Sequence, residues 1–285
     1  MHLTTGLPPL IGVIENLHMD SYNARAAYRA SQQRSLEPEQ SPRQAWWESY
    51  LNPYRQPLKG ENIITGLGLH RAMEDTRAFL REFELLPTIK RTSKPGYIGR
   101  DQLEAVTVLR EGLLAMPMVR EALDAGQPEV SLFSTQDTAW GHLPVKARPD
   151  LLSPTIEIHW KTVSRMDFLG EHINKFRYME ALAFYRRVRL LCGLPPVQQA
   201  MVFCQTYAPY EIRVIRPSAY FVDEDSKAWK YGTACLNRFA QLLEKFGDGM
   251  WPDYRNLPQD VFTGDAGSPK HAVALPASYD KRLAA

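Results

Sequence analysis

The feature that most constrains the fold is a change in the spacing of apolar residues near residue 129. Before that point, Leu67–Leu86 and Asp101–Met116 carry apolar side chains every three or four positions, which predicts two amphipathic helices. After it the spacing becomes two, and Glu129–Ser134, Leu143–Leu152 and Thr155–Lys161 are predicted to be short strands. The chain is therefore expected to pack helices against a sheet.

The rest of the sequence continues this alternation. Gly170–Leu191 and Asp223–Phe246 have helical spacing, and the second helix is predicted to end at Gly247. Between them, Gln199–Tyr207 and Tyr210–Ile215 are predicted to form a pair of strands. This order of elements predicts an α/β (or α+β) fold in which helices flank one central mixed sheet.

Composition divides the chain into three parts. Residues 1–60 are rich in Pro, Ser and Gln and are predicted to form an irregular extension with short helices at Ser21–Gln33 and Pro42–Tyr50. Residues 61–254 are predicted to form the main domain. Residues 255–285 contain a Gly- and Pro-rich stretch and are expected to be a mobile tail.

Two adjacent tryptophans stand in the N-terminal extension, within the segment SPRQAWWESYLNP. The Ser-Pro pair that opens this segment is typical of a helix start. Trp46 and Trp47 are candidates either for packing against the body of the protein or for stacking on a nucleic-acid base. Packing is favoured, because large aromatic side chains are usually buried.

The charge balance excludes one class of nucleic-acid-binding protein. The chain has 34 Lys and Arg residues against 32 Asp and Glu residues, a net charge of +2, which excludes a histone-like polycation. The charge is unevenly distributed, since residues 143–216 contain 11 basic and six acidic side chains. A local basic groove therefore remains compatible with the composition.

Three cysteines, Cys192, Cys204 and Cys235, stand far apart and form no CxxC pair. This pattern predicts reduced thiols, and it excludes a four-cysteine zinc site or an iron–sulfur cluster. No apolar run reaches about 20 residues, and the N-terminus lacks the basic and apolar regions of a signal peptide. We expect a soluble cytoplasmic protein with no membrane partner.

The segment TIEIHWK carries the most informative chemistry. In a strand, successive side chains point to opposite faces, so Glu157, His159 and Lys161 share one face while the apolar residues between them share the other. The preceding strand ends in VKARPD and brings Asp150 to the adjoining turn. This combination predicts a site for a hard cation such as Mg²⁺, with the lysine orienting a water molecule or a phosphate. The alternative is that the polar face is simply the solvent side of an edge strand.

Five sequence segments, taken in their order along the chain, resemble one nuclease family. They are VSLF, KARPDLL, a strand that ends in Lys-Thr, FRYMEALAFY and WPDY. From about Gly66 to Tyr254 the chain resembles the RecE-like (exonuclease VIII type) branch of the PD-(D/E)xK nuclease superfamily. The resemblance implies a restriction-endonuclease-like core, one or two bound Mg²⁺ ions and hydrolysis of phosphodiesters by metal-activated water.

The resemblance also assigns roles to individual residues. Asp150 matches the first aspartate of the family motif, Lys161 its lysine, and Glu129 the added glutamate of this branch. His70 matches the upstream histidine, although a lone histidine on a helix is also typical of ordinary packing. Tyr185 matches the tyrosine of the following helix.

Two positions depart from the family pattern. His159 stands where an acid is expected two residues before the lysine, and Ala181 stands where a glutamine is expected. A neutral imidazole should weaken Mg²⁺ binding more than Mn²⁺ binding. Glu157 is an alternative source of the acid, although it lies about 6.6 Å along the strand. Glu180 on the next helix is another.

Basic side chains near these positions are candidates for DNA contact. Arg186, Arg187 and Arg189 follow Tyr185 and are predicted either to form a solvated helix face or to contact DNA phosphates. The segment Arg91–Arg100 is a basic loop with the same two interpretations.

Two functions follow from these observations. The first is a metal-dependent exonuclease on double-stranded DNA ends in phage-type recombination; the resemblance further implies a homo-oligomer and a single-strand annealing protein as partner. The second is a catalytically impaired nuclease fold that serves as a DNA-binding or assembly module. The residues at 159 and 181 favour the second function, and the five retained motif positions favour the first.

Overall fold

The computed structural model describes residues 11–56 and 58–253, so the predicted tail and Tyr254 lie outside the described residues. The N-terminal segment contains β1 (Gly12–Ile14), α1 (Met19–Ala24), a 3-10 helix (Ala30–Leu36) and α2 (Pro42–Glu48). The Ser41 hydroxyl accepts a hydrogen bond from the backbone N–H of Gln44 and caps α2, as the Ser-Pro pair predicts. Trp46 is buried and Trp47 is half exposed, so the packing interpretation is confirmed for Trp46.

The helical half of the chain follows. It contains α3 (Glu61–Glu74), α4 (Thr76–Glu82), β2 (Glu84–Leu86), β3 (Tyr97–Gly99), α5 (Arg100–Ala115) and α6 (Pro117–Ala125). The single helix predicted over Leu67–Leu86 is wrong, because Asp75 ends α3 and its carboxylate caps α4 through the N–H of Arg77. The helix predicted over Asp101–Met116 is confirmed.

Between residues 127 and 253 the structure has seven strands: β4 (Gln127–Pro128), β5 (Ser131–Thr138), β6 (Gly141–Ala147), β7 (Leu151–Leu152), β8 (Ile156–Val163), β9 (Gln198–Gln205) and β10 (Ile212–Ile215). The strand predicted over Leu143–Leu152 is divided into β6 and β7, with Arg148, Pro149 and Asp150 between them. A proline there cannot donate to a strand ladder, which accounts for the division.

These strands form a mixed α/β architecture, and the predicted fold class is confirmed. The sheet is divided, however, into a five-stranded unit of order β10-β9-β8-β7-β4, a three-stranded unit of order β1-β5-β6, and the small pair β2-β3. Strands β8 and β9 are parallel, and the other pairs of the five-stranded sheet are antiparallel. Because β8 is the central strand of the five, the edge-strand interpretation of its polar face is wrong.

The remaining helices are α7 (Leu169–Lys175), α8 (Tyr178–Leu191), α9 (Ala219–Val222) and α10 (Lys227–Phe246). The continuous helix predicted over Gly170–Leu191 is wrong, because Arg177 adopts a left-handed conformation with φ +55° and separates α7 from α8. The end of α10 at Gly247, with φ +68°, is confirmed.

Both faces of β8 are covered. Ile156, Ile158 and Trp160 pack in a core with residues of α3 and α5. On the opposite face, Met201 and Phe203 of the neighbouring strand pack with residues of α8. The polar residues of β8 therefore lie in a protein interior that is open only near Lys161. None of the helices in the described part of the chain combines the length and apolar character needed to cross a lipid bilayer.

Candidate metal centre

The site lies where the second half of β8 loses one of its neighbouring strands. β9 pairs with β8 along its whole length, whereas the two-residue strand β7 pairs only with Glu157 and Ile158. Beyond Ile158, the Asp150 side chain takes the place of a strand partner. Its Oδ2 accepts a hydrogen bond of 2.7 Å from the backbone N–H of Trp160. The missing strand thus leaves room for a carboxylate and fixes its position.

Three potential metal ligands converge at this edge. Nδ1 of His70 lies 3.2 Å from Oδ1 of Asp150 and 3.4 Å from Oε1 of Glu129, and one ligand atom from each residue lies within 4.8 Å of the others. His70 comes from α3, Glu129 directly follows β4, and Asp150 directly precedes β7. Two carboxylates and one imidazole form a donor set that suits a divalent cation such as Mg²⁺ or Mn²⁺. These residues fit the metal that the family resemblance implies.

Glu129 is held in an unusual backbone conformation. Its φ is +55°, a left-handed value that costs a non-glycine residue about 1–2 kcal/mol. Its N–H donates to the Asp150 carbonyl, and its Oε2 accepts a 2.7 Å hydrogen bond from Nε of Arg148. Arg148 also donates to the Leu17 carbonyl and to the Ser131 hydroxyl. One oxygen of Glu129 is therefore committed to Arg148, and the other faces His70.

Arg148 was not among the residues singled out from the sequence. It is buried and forms the ion pair that orients Glu129. Its position immediately before the Pro-Asp pair is the signal that would have indicated it.

Lys161 lies beside the cluster. Its Nζ is 3.6 Å from Oδ2 of Asp150, and about a third of the side chain is exposed. The ammonium group is thus close to the Asp150 carboxylate and also accessible to a ligand from solvent.

The charges within the cluster shift the pKa values of His70 and Asp150. Burial by itself would lower the pKa of His70, but the charges and hydrogen bonds of Asp150 and Glu129 outweigh it and raise that pKa to about 9. Burial would raise the pKa of Asp150, but the positive charges of Lys161 and His70 hold it well below its ordinary value. At neutral pH the metal-free site therefore holds a His70 imidazolium beside the Asp150 carboxylate. A metal ion that uses Nδ1 must displace that proton.

The structure places His159 and Glu157 in a separate buried network. Both are at most 1% exposed, and Nε2 of His159 lies 2.9 Å from Oε1 of Glu157. The same oxygen accepts a 2.8 Å hydrogen bond from Gln199, and the other oxygen lies 3.5 Å from the Arg189 guanidinium. Burial would raise the pKa of Glu157, but these partners lower it. Glu157 is thus ionised and internally paired, and the structure does not bring it to the metal cluster.

The other residues around this network lie on α8. The Tyr185 ring packs edge-on against the His159 ring, with 4.3 Å between centroids. Burial raises the pKa of the Tyr185 hydroxyl, which therefore stays protonated at neutral pH. Glu180, the other candidate for the missing acid, pairs with Arg177 at 3.7 Å.

The three arginines after Tyr185 do not form a solvated face. Arg187 is buried and donates to the Trp229 carbonyl and to the hydroxyl of Thr233. Arg189 is buried and donates to the Pro195 carbonyl. Arg186 is mostly covered and pairs with Asp223 at 2.7 Å. The expectation that these side chains contact DNA phosphates is corrected for Arg187 and Arg189, because their guanidinium groups are used inside the fold.

Part of the basic segment Arg91–Arg100 likewise packs against the rest of the protein. The Arg91 guanidinium donates to the Thr206 carbonyl and to the Thr65 hydroxyl, and it lies 4.0 Å from the centroid of the Tyr207 ring. The end of the segment forms β3.

Comparison with known proteins supports the architecture. No protein-family model matches the chain. No curated protein matches it either. Among solved structures, the crystal structure of a candidate exonuclease from Eubacterium rectale is similar over 89% of this chain and 93% of that one, with a TM-score of 0.58 and 14% identity. A second structure overlaps 48% of the chain and 60% of its own length at 15% identity, with a TM-score of only 0.32. The chain shares the fold of the Eubacterium rectale protein, a mixed α/β architecture.

Proposed function

We propose that this protein is a metal-dependent deoxyribonuclease that degrades double-stranded DNA from its ends, in the manner of phage-type recombination exonucleases. The convergence of His70, Glu129 and Asp150 beside Lys161 is the observation that carries this proposal. The similarity to a structure described as an exonuclease and the resemblance of the sequence to RecE-like nucleases support it.

The residues of the cluster and Lys161 have separate roles in the proposed reaction. A bound divalent cation would supply Lewis-acid chemistry and activate water. Asp150, Glu129 and His70 would hold the cation, with Asp150 fixed by the Trp160 N–H and Glu129 by Arg148. The Lys161 ammonium, next to Asp150, donates hydrogen bonds to the attacking water or to a phosphate oxygen.

We expect Mn²⁺ to support this function better than Mg²⁺. The acid that the family pattern places at position 159 is missing, and the nitrogen donor of the cluster, His70, discriminates against Mg²⁺ more than against Mn²⁺. His159 itself pairs with Glu157 through Nε2 and packs against the Tyr185 ring.

A second candidate function is a nuclease fold with impaired catalysis that binds DNA or assembles with a partner. The orientation of His159 favours it, since this residue replaces an expected acid and its imidazole is hydrogen-bonded to Glu157. Ala181 lacks the amide that the family pattern places there.

Digestion of linear duplex DNA in Mg²⁺ and separately in Mn²⁺ tests the two candidates. The exonuclease proposal expects shortening of linear DNA and no attack on covalently closed circles, with at least a 100-fold loss in Lys161→Ala. Lys59→Ala, which removes an exposed lysine elsewhere, is the matched control and should retain activity. Absence of degradation in both metals, or degradation that survives Lys161→Ala, would contradict it and favour the second candidate.

Homo-oligomerisation and association with a single-strand annealing protein are further parts of the proposal, and they rest on the family resemblance. Light scattering of the purified protein tests the first. A monomer at all concentrations would contradict it.

A further inference from the structure

An exposed aromatic cluster lies at the turn between α7 and α8. We define the aromatic platform as Arg34, His172, Lys175, Phe176 and Tyr178. The Phe176 and Tyr178 rings are stacked, with 5.8 Å between centroids and 26° between planes. The His172 ring lies 5.4 Å from Phe176. Phe176 itself is 40% exposed, so part of this stack faces solvent.

Two cations border the exposed ring. The Arg34 guanidinium and the Lys175 ammonium each lie 5.7 Å from the centroid of Phe176. Within residues 11–56 and 58–253, neither cation has a carboxylate partner within 4.0 Å. The platform therefore combines an accessible aromatic surface with unneutralised positive charge, which complements a polyanion that carries flat bases.

The turn that presents these rings is held rigidly. Arg177, between Phe176 and Tyr178, has the left-handed φ of +55°. Its Nε donates to Glu37 at 2.7 Å, and its guanidinium lies 5.4 Å from the centroid of the Tyr231 ring. Anchoring of a strained residue between two distant elements is typical of functional surfaces.

The platform is connected to the candidate metal centre. Tyr178 packs on Phe203 with 5.5 Å between ring centroids, and Phe203 is the strand partner of Lys161. On α8, Tyr185 follows Tyr178 by seven residues, which is two helical turns or about 10.5 Å along the same face. One face of α8 thus leads from the platform to the residues beside the site.

We propose that the aromatic platform binds the single-stranded part of a DNA substrate by stacking a base on Phe176, while Arg34 and Lys175 contact the phosphates. This inference deepens the proposed nuclease function and rests on it for the identity of the polymer. Aromatic stacking combined with basic side chains is the common mode by which proteins hold single strands without sequence preference.

Fluorescence anisotropy with a fluorescein-labelled 20-nucleotide oligo(dT), in EDTA, measures this contact without hydrolysis. Phe176→Ala should weaken binding about fivefold or more, the lower end of the effect of removing one stacked base. Phe176→Trp should bind at least as tightly as wild type, because it preserves the stacking surface. Trp140→Ala, which removes a half-exposed aromatic residue on the β5–β6 turn, is the control and should leave affinity unchanged.

The proposal that the platform binds single-stranded DNA is wrong if Phe176→Ala and wild type bind oligo(dT) with equal affinity, or if wild type shows no measurable binding. These outcomes are distinguishable from failure of the proposed function. If the wild-type protein degrades duplex DNA and Phe176→Ala binds oligo(dT) with wild-type affinity, the platform proposal is wrong and the nuclease proposal stands. If the wild-type protein hydrolyses no DNA but its binding of oligo(dT) depends on Phe176, the platform proposal stands and the nuclease proposal is wrong.

Discussion

The Asp150 carboxylate accepts a 2.7 Å hydrogen bond from the backbone N–H of Trp160, at a point on β8 where no strand of the described chain supplies an acceptor. A side chain here replaces a sheet partner. The same carboxylate lies 3.2 Å from His70 and 3.6 Å from Lys161. Asp150 thus both stabilises this edge of the sheet and forms part of the candidate metal centre.

This dual role predicts different effects for two substitutions of Asp150. Asp150→Ala removes the acceptor of a buried N–H and should lower the free energy of unfolding by about 1–3 kcal/mol. Asp150→Asn keeps a carbonyl acceptor for Trp160 and should cost less. Both should abolish metal-supported DNA hydrolysis, because neither supplies the negative charge. Urea denaturation and a nuclease assay measure the two effects; equal stability of the two variants would contradict the hydrogen-bond argument.

The raised pKa of His70 predicts the pH dependence of stability in the metal-free protein. The pKa rises from an ordinary 6.5 to about 9 in the folded state. The protonated imidazole therefore stabilises the fold fully below pH 6.5, and this contribution is lost as the pH rises through about 9. The difference in unfolding free energy between wild type and His70→Gln, measured in EDTA, should shrink between pH 6.5 and 9.5. A difference independent of pH would show that His70 is not charged in the fold.

Metal binding should show the reverse trend. The proton on His70 competes with the ion, so Mn²⁺ affinity should increase as the pH rises from 7 to 9. Isothermal titration calorimetry in buffers of different ionisation enthalpy should also detect proton release. Binding without proton release would exclude Nδ1 of His70 as a ligand.

The buried network predicts a stability role for Arg189 in place of DNA contact. Arg189→Met leaves the Glu157 carboxylate without its buried cation and should lower the free energy of unfolding by about 3–5 kcal/mol. The double variant Arg189→Met with Glu157→Gln should recover part of that loss. Arg186→Met, which disrupts a pair with the half-exposed Asp223, should cost about 1 kcal/mol or less. If the Arg189→Met protein is as stable as wild type but binds DNA more weakly, Arg189 contacts DNA phosphates, as the sequence pattern allowed.

His159→Asp tests why the family acid is absent. The substitution supplies the missing carboxylate and should increase Mg²⁺-supported hydrolysis relative to Mn²⁺-supported hydrolysis. It also places a second acid beside the buried Glu157, so the free energy of unfolding should fall. His159→Asn, similar in size and uncharged, is the control and should show no gain in Mg²⁺. No change in metal preference in the aspartate variant would contradict a direct role of this position at the metal.

Several local features were predictable from sequence because they depend on neighbours along the chain. The alternation of β8 places Ile158 and Trp160 on one face and His159 and Lys161 on the other. The start of α2, with its Ser41 cap and Pro42 at the first helical position, follows from the backbone preferences of Ser and Pro. The breaks at Asp75 and Arg177 were not predicted, because residues on both sides have helical spacing. The break at Asp75 has a local cause, the cap that its carboxylate provides for α4, whereas Arg177 is held by a contact with the distant Glu37.

The sequence by itself determined which side chains share a face and which short segments start or end an element, since backbone geometry sets these periods. Only the tertiary structure decided which distant residues meet. His70 and Glu129 are 59 residues apart, yet their side chains lie 3.4 Å apart because α3 packs against β8 at its open edge. Packing of α8 against α10 encloses Arg187, and both Arg189 and His159 pair with the buried Glu157. Burial and long-range pairing depend on how the layers fit together, and no local pattern contains that information.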